Sequence, residues 1–125
     1  MNVVGVAIRS QGRLLAARRT SPPAHAGRWE LPGGKVAAGE SLERAGEREV
    51  REELGCRVTG VAVLPGRVPL VWPLVLRVVV ADLVEGEPVP HEHDAVRWLA
   101  ADQLDEVAWL EADRPFLDTV RGWLR

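Results

Sequence analysis

The apolar positions of the chain follow two rhythms, and the switches between them mark out its elements. Residues 3–8 are apolar and mostly β-branched, which reads as a buried strand. Ser10-Gln11-Gly12 is turn chemistry, so residues 13–17 read as the hairpin partner. Two prolines with Ala24, His25 and Ala26 make residues 20–27 a loop. Trp29-Glu30-Leu31 is then a short extended piece, stopped by Pro32-Gly33-Gly34. Residues 41–54 give the clearest helix: Ser41 is an N-cap, Leu42, Ala45, Val50 and Leu54 form a narrow apolar stripe, and Gly55 is a stop. Gly46 inside that helix costs about 1 kcal/mol relative to Ala, or lets something pack closely.

The strand rhythm returns at residues 57–64 and 74–84, with a proline-rich link over 65–73 between them. Glu85-Gly86-Glu87-Pro88 turns the chain, residues 95–99 form a last short strand, and 101–104 a single helical turn. Asp113 is placed to cap a final amphipathic helix reaching about Trp123, with Phe116, Leu117, Val120 and Leu124 on one face. No repeat, low-complexity segment or linker interrupts this order. Residues 1–125 are expected to form one domain of the α/β (α+β) class, on a mixed sheet because strands and helices do not strictly alternate.

Composition narrows the functional classes. The chain has 125 residues, 46% hydrophobic and 27% charged, which suits one ordinary globular domain. A net charge of −2 gives no long-range attraction for polyanions, so no nucleic acid polymer is expected as a partner. The single cysteine, Cys56, excludes an internal disulfide framework and reads as a core residue rather than a reactive thiol. The first residues lack the basic segment and long apolar run of a signal peptide. The apolar stretches are broken by Pro69, Pro73, Arg77 and Asp82 well short of a membrane span. A soluble, cytoplasmic protein without a membrane partner is expected, as a monomer or homodimer.

The chemistry concentrates on the helix at 41–54. Glu49, Glu52 and Glu53 stand at i, i+3 and i+4, so their carboxylates share one helix face. Like charges at that spacing repel by a few tenths of a kcal/mol per pair, and a hard dication reverses the sign. Gly33-Gly34 precedes the helix with a backbone that can approach a metal or phosphate closely, and Arg48 can orient a neighbouring carboxylate.

Gly34, five residues, Glu40, seven residues and then Arg48-Glu49-Val50-Arg51-Glu52-Glu53-Leu54-Gly55 resembles the Nudix box of the Nudix hydrolases. Cys56 departs from the pattern, which asks for a bulky aliphatic residue there. Trp29-Glu30-Leu31-Pro32-Gly33-Gly34-Lys35, with Arg18-Arg19 upstream, looks like the MutT-type branch. The resemblance covers nearly the whole chain and implies the Nudix fold, an α/β/α sandwich around a mixed sheet. It implies Mg²⁺ or Mn²⁺ held by Glu49, Glu52, Glu53 and the Gly33 carbonyl, with Arg48 as the orienting cation and Glu40 pinning the loop to the helix.

The reaction implied is attack of a metal-activated water on a bridging phosphate, releasing a nucleoside monophosphate and pyrophosphate. Glu49 is the candidate base. Glu92 is its rival, matching a loop glutamate that in MutT-like enzymes supplies a ligand or the base. His91 and His93 flank Glu92 without a helical pair's spacing, so they are read as lying near the phosphates or in solvent rather than as a zinc site. Arg19, Leu31, Gly34 and Lys35 are candidate substrate-binding positions. Asp113 matches the family position that hydrogen-bonds the base, and a carboxylate there accepts from an exocyclic amine such as cytosine N4. The expected substrates are CTP, dCTP, 5-methyl-dCTP or 8-oxo-dGTP; the alternatives are ADP-ribose, a dinucleoside polyphosphate, or nucleotide sensing without turnover. Of the tryptophans, Trp98 and Trp123 fit core or helix-face positions, Trp29 packs under the glycine loop, Trp109 is a candidate border of the ligand, and Trp72 is open.

Overall fold

The computed structural model describes residues 1–124. The first apolar run becomes the central strand β1 (Asn2–Ser10), in which Val4, Val6, Ala7 and Ile8 are at most 1% exposed. Such burial follows from its neighbours. The long strand β7 (Val75–Glu85) runs parallel to it from Asn2↔Val75 to Arg9↔Asp82. On its other edge β1 changes partner along its length. β4 (Gly33–Lys35) pairs antiparallel with Val3, Val4 and Gly5, and β2 (Arg13–Arg19) pairs only with Arg9 and Ser10.

β2 is flanked by β3 (Trp29–Glu30) and β8 (His93–Leu99), both antiparallel to it. β7 pairs antiparallel with β5 (Arg57–Val63) and β6 (Val68–Pro69), which completes an eight-stranded mixed sheet. Helix α1 (Leu42–Leu54) covers one face. Val50 and Leu54 are fully buried against Val6, Ile8, Leu15 and Val58, each contributing about 1.5–3 kcal/mol of burial. The other face, with Ala7, Leu14, Ala16, Val78 and Val80, is covered by Leu104, Trp109, Phe116 and Val120 from the C-terminal segment. This is the expected α/β/α layering.

Local chemistry explains the ends of α1. The Ser41 hydroxyl accepts from the Arg44 N–H at 3.1 Å, and Gly55 takes the left-handed conformation (φ 67°) while its N–H returns to the Arg51 carbonyl. A Cβ on Gly46 would stand 3.0 Å from Val6 Cγ2, so this glycine lets the helix approach β1 closely.

Three expectations are corrected. The glycine run does not end the extended chain at residue 31. It continues as β4, because a Cβ on Gly33 would run into the carbonyl oxygen of Val4 and only glycine permits that pairing. The link at 65–73 contains β6, whose Pro69 sits on a two-residue strand away from the central ladder. The C-terminal segment is not one helix capped by Asp113. It is a 3-10 turn (Glu111–Phe116) followed by a short helix, α2 (Leu117–Arg121), with Leu110 in the N-cap position. Pro115 lacks the N–H a continuous α-helix requires, and the Asp113 side chain is engaged elsewhere. The helical turn expected at 101–104 is present as a second 3-10 turn, Ala101–Glu106, two residues longer.

Candidate active site

Over the start of β1, where Val3, Val4 and Gly5 pair with β4, the surface opens into a cleft of about 1170 Å³. Gly33, Gly34 and Glu53 line it together with Glu30, Glu92 and His93 and with Leu31 and Asp113. Of the residues singled out above, Arg19, Leu31, Gly33, Gly34, Glu53, Glu92 and Asp113 line it. Lys35, Arg48, Glu49 and Glu52 do not. Lys35 is exposed, and its carbonyl accepts from Arg48 Nη2 at 3.0 Å.

Arg48 organises the helix side. Its guanidinium donates to both oxygens of Glu40 (Nε to Oε2 2.7 Å, Nη2 to Oε1 2.9 Å) and to Glu49 Oε1 at 2.9 Å, with Glu52 at 3.5 Å. Glu40 also accepts from the Ala37 N–H at 2.9 Å, so the loop after β4 is tied to α1 through one carboxylate. The Arg48 guanidinium, helped by that N–H, holds Glu40 at about 2, and the two carboxylates push the Arg48 pKa up in return. Glu49 lies against the glycine loop: a Cβ on Gly34 would stand 2.5–2.7 Å from its carboxylate atoms.

Glu53 is buried, and its Oε2 accepts from the Gly33 N–H at 3.2 Å. Burial pushes its pKa up to about 8, opposed by His93 and reinforced by Glu49, Glu30 and Glu92. Among the described residues no three His, Cys, Asp or Glu side chains already converge as a metal cluster, because Glu49 and Glu52 turn to Arg48 and Glu53 to Gly33. The donor set nevertheless fits a hard dication: oxygen ligands at one helix face, one of them buried without a full cationic partner. Charge of +2 removes the burial cost that raises Glu53.

Glu30, which was not expected in the site, joins it together with His93. Glu30 bridges Arg19 (Nη1 to Oε1, 3.0 Å) and His93 (Nε2 to Oε2, 2.8 Å), linking the ends of β2, β3 and β8. His93 is 9% exposed, neither in solvent nor free for phosphate, and the Glu30 carboxylate raises its pKa. His91 and Glu92 are exposed. The sequence signal for His93 was absent, since it arises from the Arg19↔His93 pairing between strands far apart in the chain.

On the opposite face, Asp113 is 5% exposed and its Oδ2 accepts from the Leu31 N–H at 3.0 Å. Burial carries its pKa up to about 7, opposed by that N–H and by Arg19. Trp109 does not border the cleft. It is buried, and its Nε1 donates to the Leu104 carbonyl at 2.7 Å.

The family model for the NUDIX domain matches residues 1–120. The chain is 42% identical over 125 residues to a Mycobacterium tuberculosis protein that carries the provisional name 8-oxo-dGTP diphosphatase 2, covering 98% of this chain and 84% of that one. It is 31% identical over 120 residues to the CTP pyrophosphohydrolase of Escherichia coli, covering 94% and 89%. The crystal structure of a MutT NUDIX hydrolase from Burkholderia pseudomallei superposes with a TM-score of 0.75 at 34% identity, covering 94% of this chain and 95% of that one. The chain belongs to the Nudix family and is a Nudix hydrolase, a class of enzymes that works with a divalent metal. No helix among the described residues is long and apolar enough to cross a membrane.

Proposed function

We propose that this enzyme is a nucleoside triphosphate pyrophosphohydrolase that cleaves an NTP or dNTP to the monophosphate and pyrophosphate. Cytosine triphosphates (CTP, dCTP, 5-methyl-dCTP) and 8-oxo-dGTP are its candidate substrates, so that it clears the nucleotide pool. The observation that carries this reading is the pairing of two features in one cleft: Glu53 with Gly33 and with Gly34, against which Glu49 packs, and a buried Asp113 bonded to the Leu31 N–H. The names of the two relatives point to the same two substrate classes.

Glu49, Glu52, Glu53 and the Gly33 carbonyl would hold Mg²⁺ or Mn²⁺, with Glu92 as a further ligand from the cleft side. Such a cation, when bound, neutralises phosphate oxygens and lowers the pKa of water. Glu49 takes the proton of the attacking water, its orientation set by Arg48 and by the glycine loop. Arg48 acts only through Glu49 and Glu40. Gly34 presents backbone to the phosphates, and Arg19, anchored by Glu30, supplies a cation on the same wall.

Asp113 reads the base. One oxygen is committed to the Leu31 N–H, which leaves the other for an exocyclic amine when the group is ionised. The test is a pyrophosphate-release panel over CTP, dCTP, 5-methyl-dCTP, dGTP, 8-oxo-dGTP and ADP-ribose, each with Mg²⁺ and with Mn²⁺. Turnover confined to the triphosphates supports the proposal; ADP-ribose as the preferred substrate overturns it.

A further inference from the structure

The loop that joins β2 to β3 closes on a bulge. The Gly27 N–H donates to the Arg19 carbonyl at 2.9 Å and the Arg19 N–H to the Arg28 carbonyl at 2.8 Å, so two residues of one strand face one of the other. Gly27 has φ 84°, the left-handed conformation that such a bulge needs at its first position. The next residue, Trp29, is tied on its other edge: its N–H donates to the Ala108 carbonyl, and its carbonyl accepts from the Leu110 N–H. The backbone of Arg28 is therefore held between β2 and the segment that leads to Asp113.

Strand register sets the direction in which Arg28 faces. Arg18 pairs with Trp29 and Ala17 with Glu30, and the Arg18 guanidinium lies 5.7 Å over the Trp29 ring. Arg18 and Trp29 thus share one face of the sheet. Alternation along the strand sends Arg28 to the other face, with Glu30 and Arg19. All three of these last residues line the cleft.

The two arginines differ in what they already hold. Arg19 is committed, its Nε to the Ser21 carbonyl at 2.8 Å and its Nη1 to Glu30 at 3.0 Å. Arg28 is exposed, and among the described residues its guanidinium has no acceptor and no ion-pair partner. It faces a cleft that Glu53, Glu92 and Asp113 make acidic. A triphosphate brought beside those carboxylates is repelled unless cations offset them, and Arg28 supplies one as a planar fork of donors that suits phosphate oxygens. We infer that Arg28 is a substrate-binding residue: its guanidinium holds phosphate oxygens of the polyphosphate chain, and the bulge at Gly27 aims it there.

The inference rests on the triphosphate reading of the cleft, and the experiment separates the two. Binding of tripolyphosphate to the full chain with Mg²⁺, measured by calorimetry, needs no turnover. It is compared with CTP kinetics for wild type, Arg28→Lys, Arg28→Ala and Arg28→Glu. Arg28→Ala is expected to weaken tripolyphosphate about tenfold and to raise KM for CTP by a similar factor, the size of one lost charge-assisted hydrogen bond. Its kcat should stay within about twofold and its Tm should not change. Arg28→Lys should recover part of both losses, and Arg28→Glu should exceed Arg28→Ala. Tripolyphosphate binding as tight in Arg28→Ala and Arg28→Glu as in wild type overturns the inference, as does its absence in wild type. A KM that rises while tripolyphosphate binding is unchanged also overturns it, since the side chain would then act on base or sugar. A wild type that binds tripolyphosphate through Arg28 but releases pyrophosphate from no nucleotide would keep the inference and remove the triphosphate reading.

Discussion

Asp113→Asn is expected to make the protein more stable, by an amount that grows with pH. Asp113 is 5% exposed and has one hydrogen bond to offset its charge, from the Leu31 N–H. Burial moves its pKa from 3.8 to about 7 in the folded state. The folded protein therefore binds this proton more tightly than the unfolded chain does. Its contribution to stability is greatest at low pH, declines as pH rises from about 4 through about 7, and is level above that.

At about 1.4 kcal/mol per pH unit the ionised folded state carries a penalty of at most about 4 kcal/mol, and relaxation of the cleft lowers this to about half. Asparagine keeps an acceptor for the Leu31 N–H and has no charge to bury. Urea unfolding of both proteins at pH 5 and pH 8.5 should give an advantage for Asp113→Asn that is about 1–3 kcal/mol larger at the higher pH, by the same linkage. A difference that is constant with pH, or a variant less stable at pH 8.5, would refute the reasoning. The exchange also has a functional side. With its oxygen held by Leu31, the amide presents N–H₂ to the cleft, so CTP should suffer and substrates offering a carbonyl should gain.

Glu53→Gln should abolish turnover while thermal stability is kept or raised, because the variant removes a buried carboxyl; wild-type rates would remove Glu53 from the metal site. Gly34→Ala should cut kcat/KM by more than about tenfold with a modest change in Tm, since the new Cβ would stand 2.5 Å from Glu49 Cδ and displace the flexible carboxylate rather than backbone. Removal of divalent cations by EDTA should stop pyrophosphate release, and added Mg²⁺ or Mn²⁺ should restore it; activity in EDTA would contradict the role given to the box carboxylates. Glu92→Gln is expected to slow the reaction less than Glu49→Gln does, and the reverse order would transfer the base to the exposed loop residue.

Much of this site could be read from the chain because it is local. The box occupies one loop and one helix, so the spacing of Glu40, Arg48 and Glu49 already implies who can bond whom, and the geometry agrees. What escaped were relations between distant strands. His93 was read as lying near the phosphates or in solvent, and the pairing of β8 with β2 instead brings it to Glu30. Asp113 looked like a helix cap because its neighbours carry helical periodicity, but Pro115 and the Leu31 N–H, 82 positions away in sequence, decide otherwise. The strand β6 was hidden under prolines whose composition reads as a link.

The exchange of partners along β1 has a consequence for how such an enzyme can diversify. The box carboxylates belong to the α1 layer and Asp113 to the segment covering the opposite face, and β1, which exchanges β4 for β2 along its length, lies between them. Under the proposed function, changes in the segment carrying Asp113 can retune which nucleotide is accepted without disturbing the helix that carries the box.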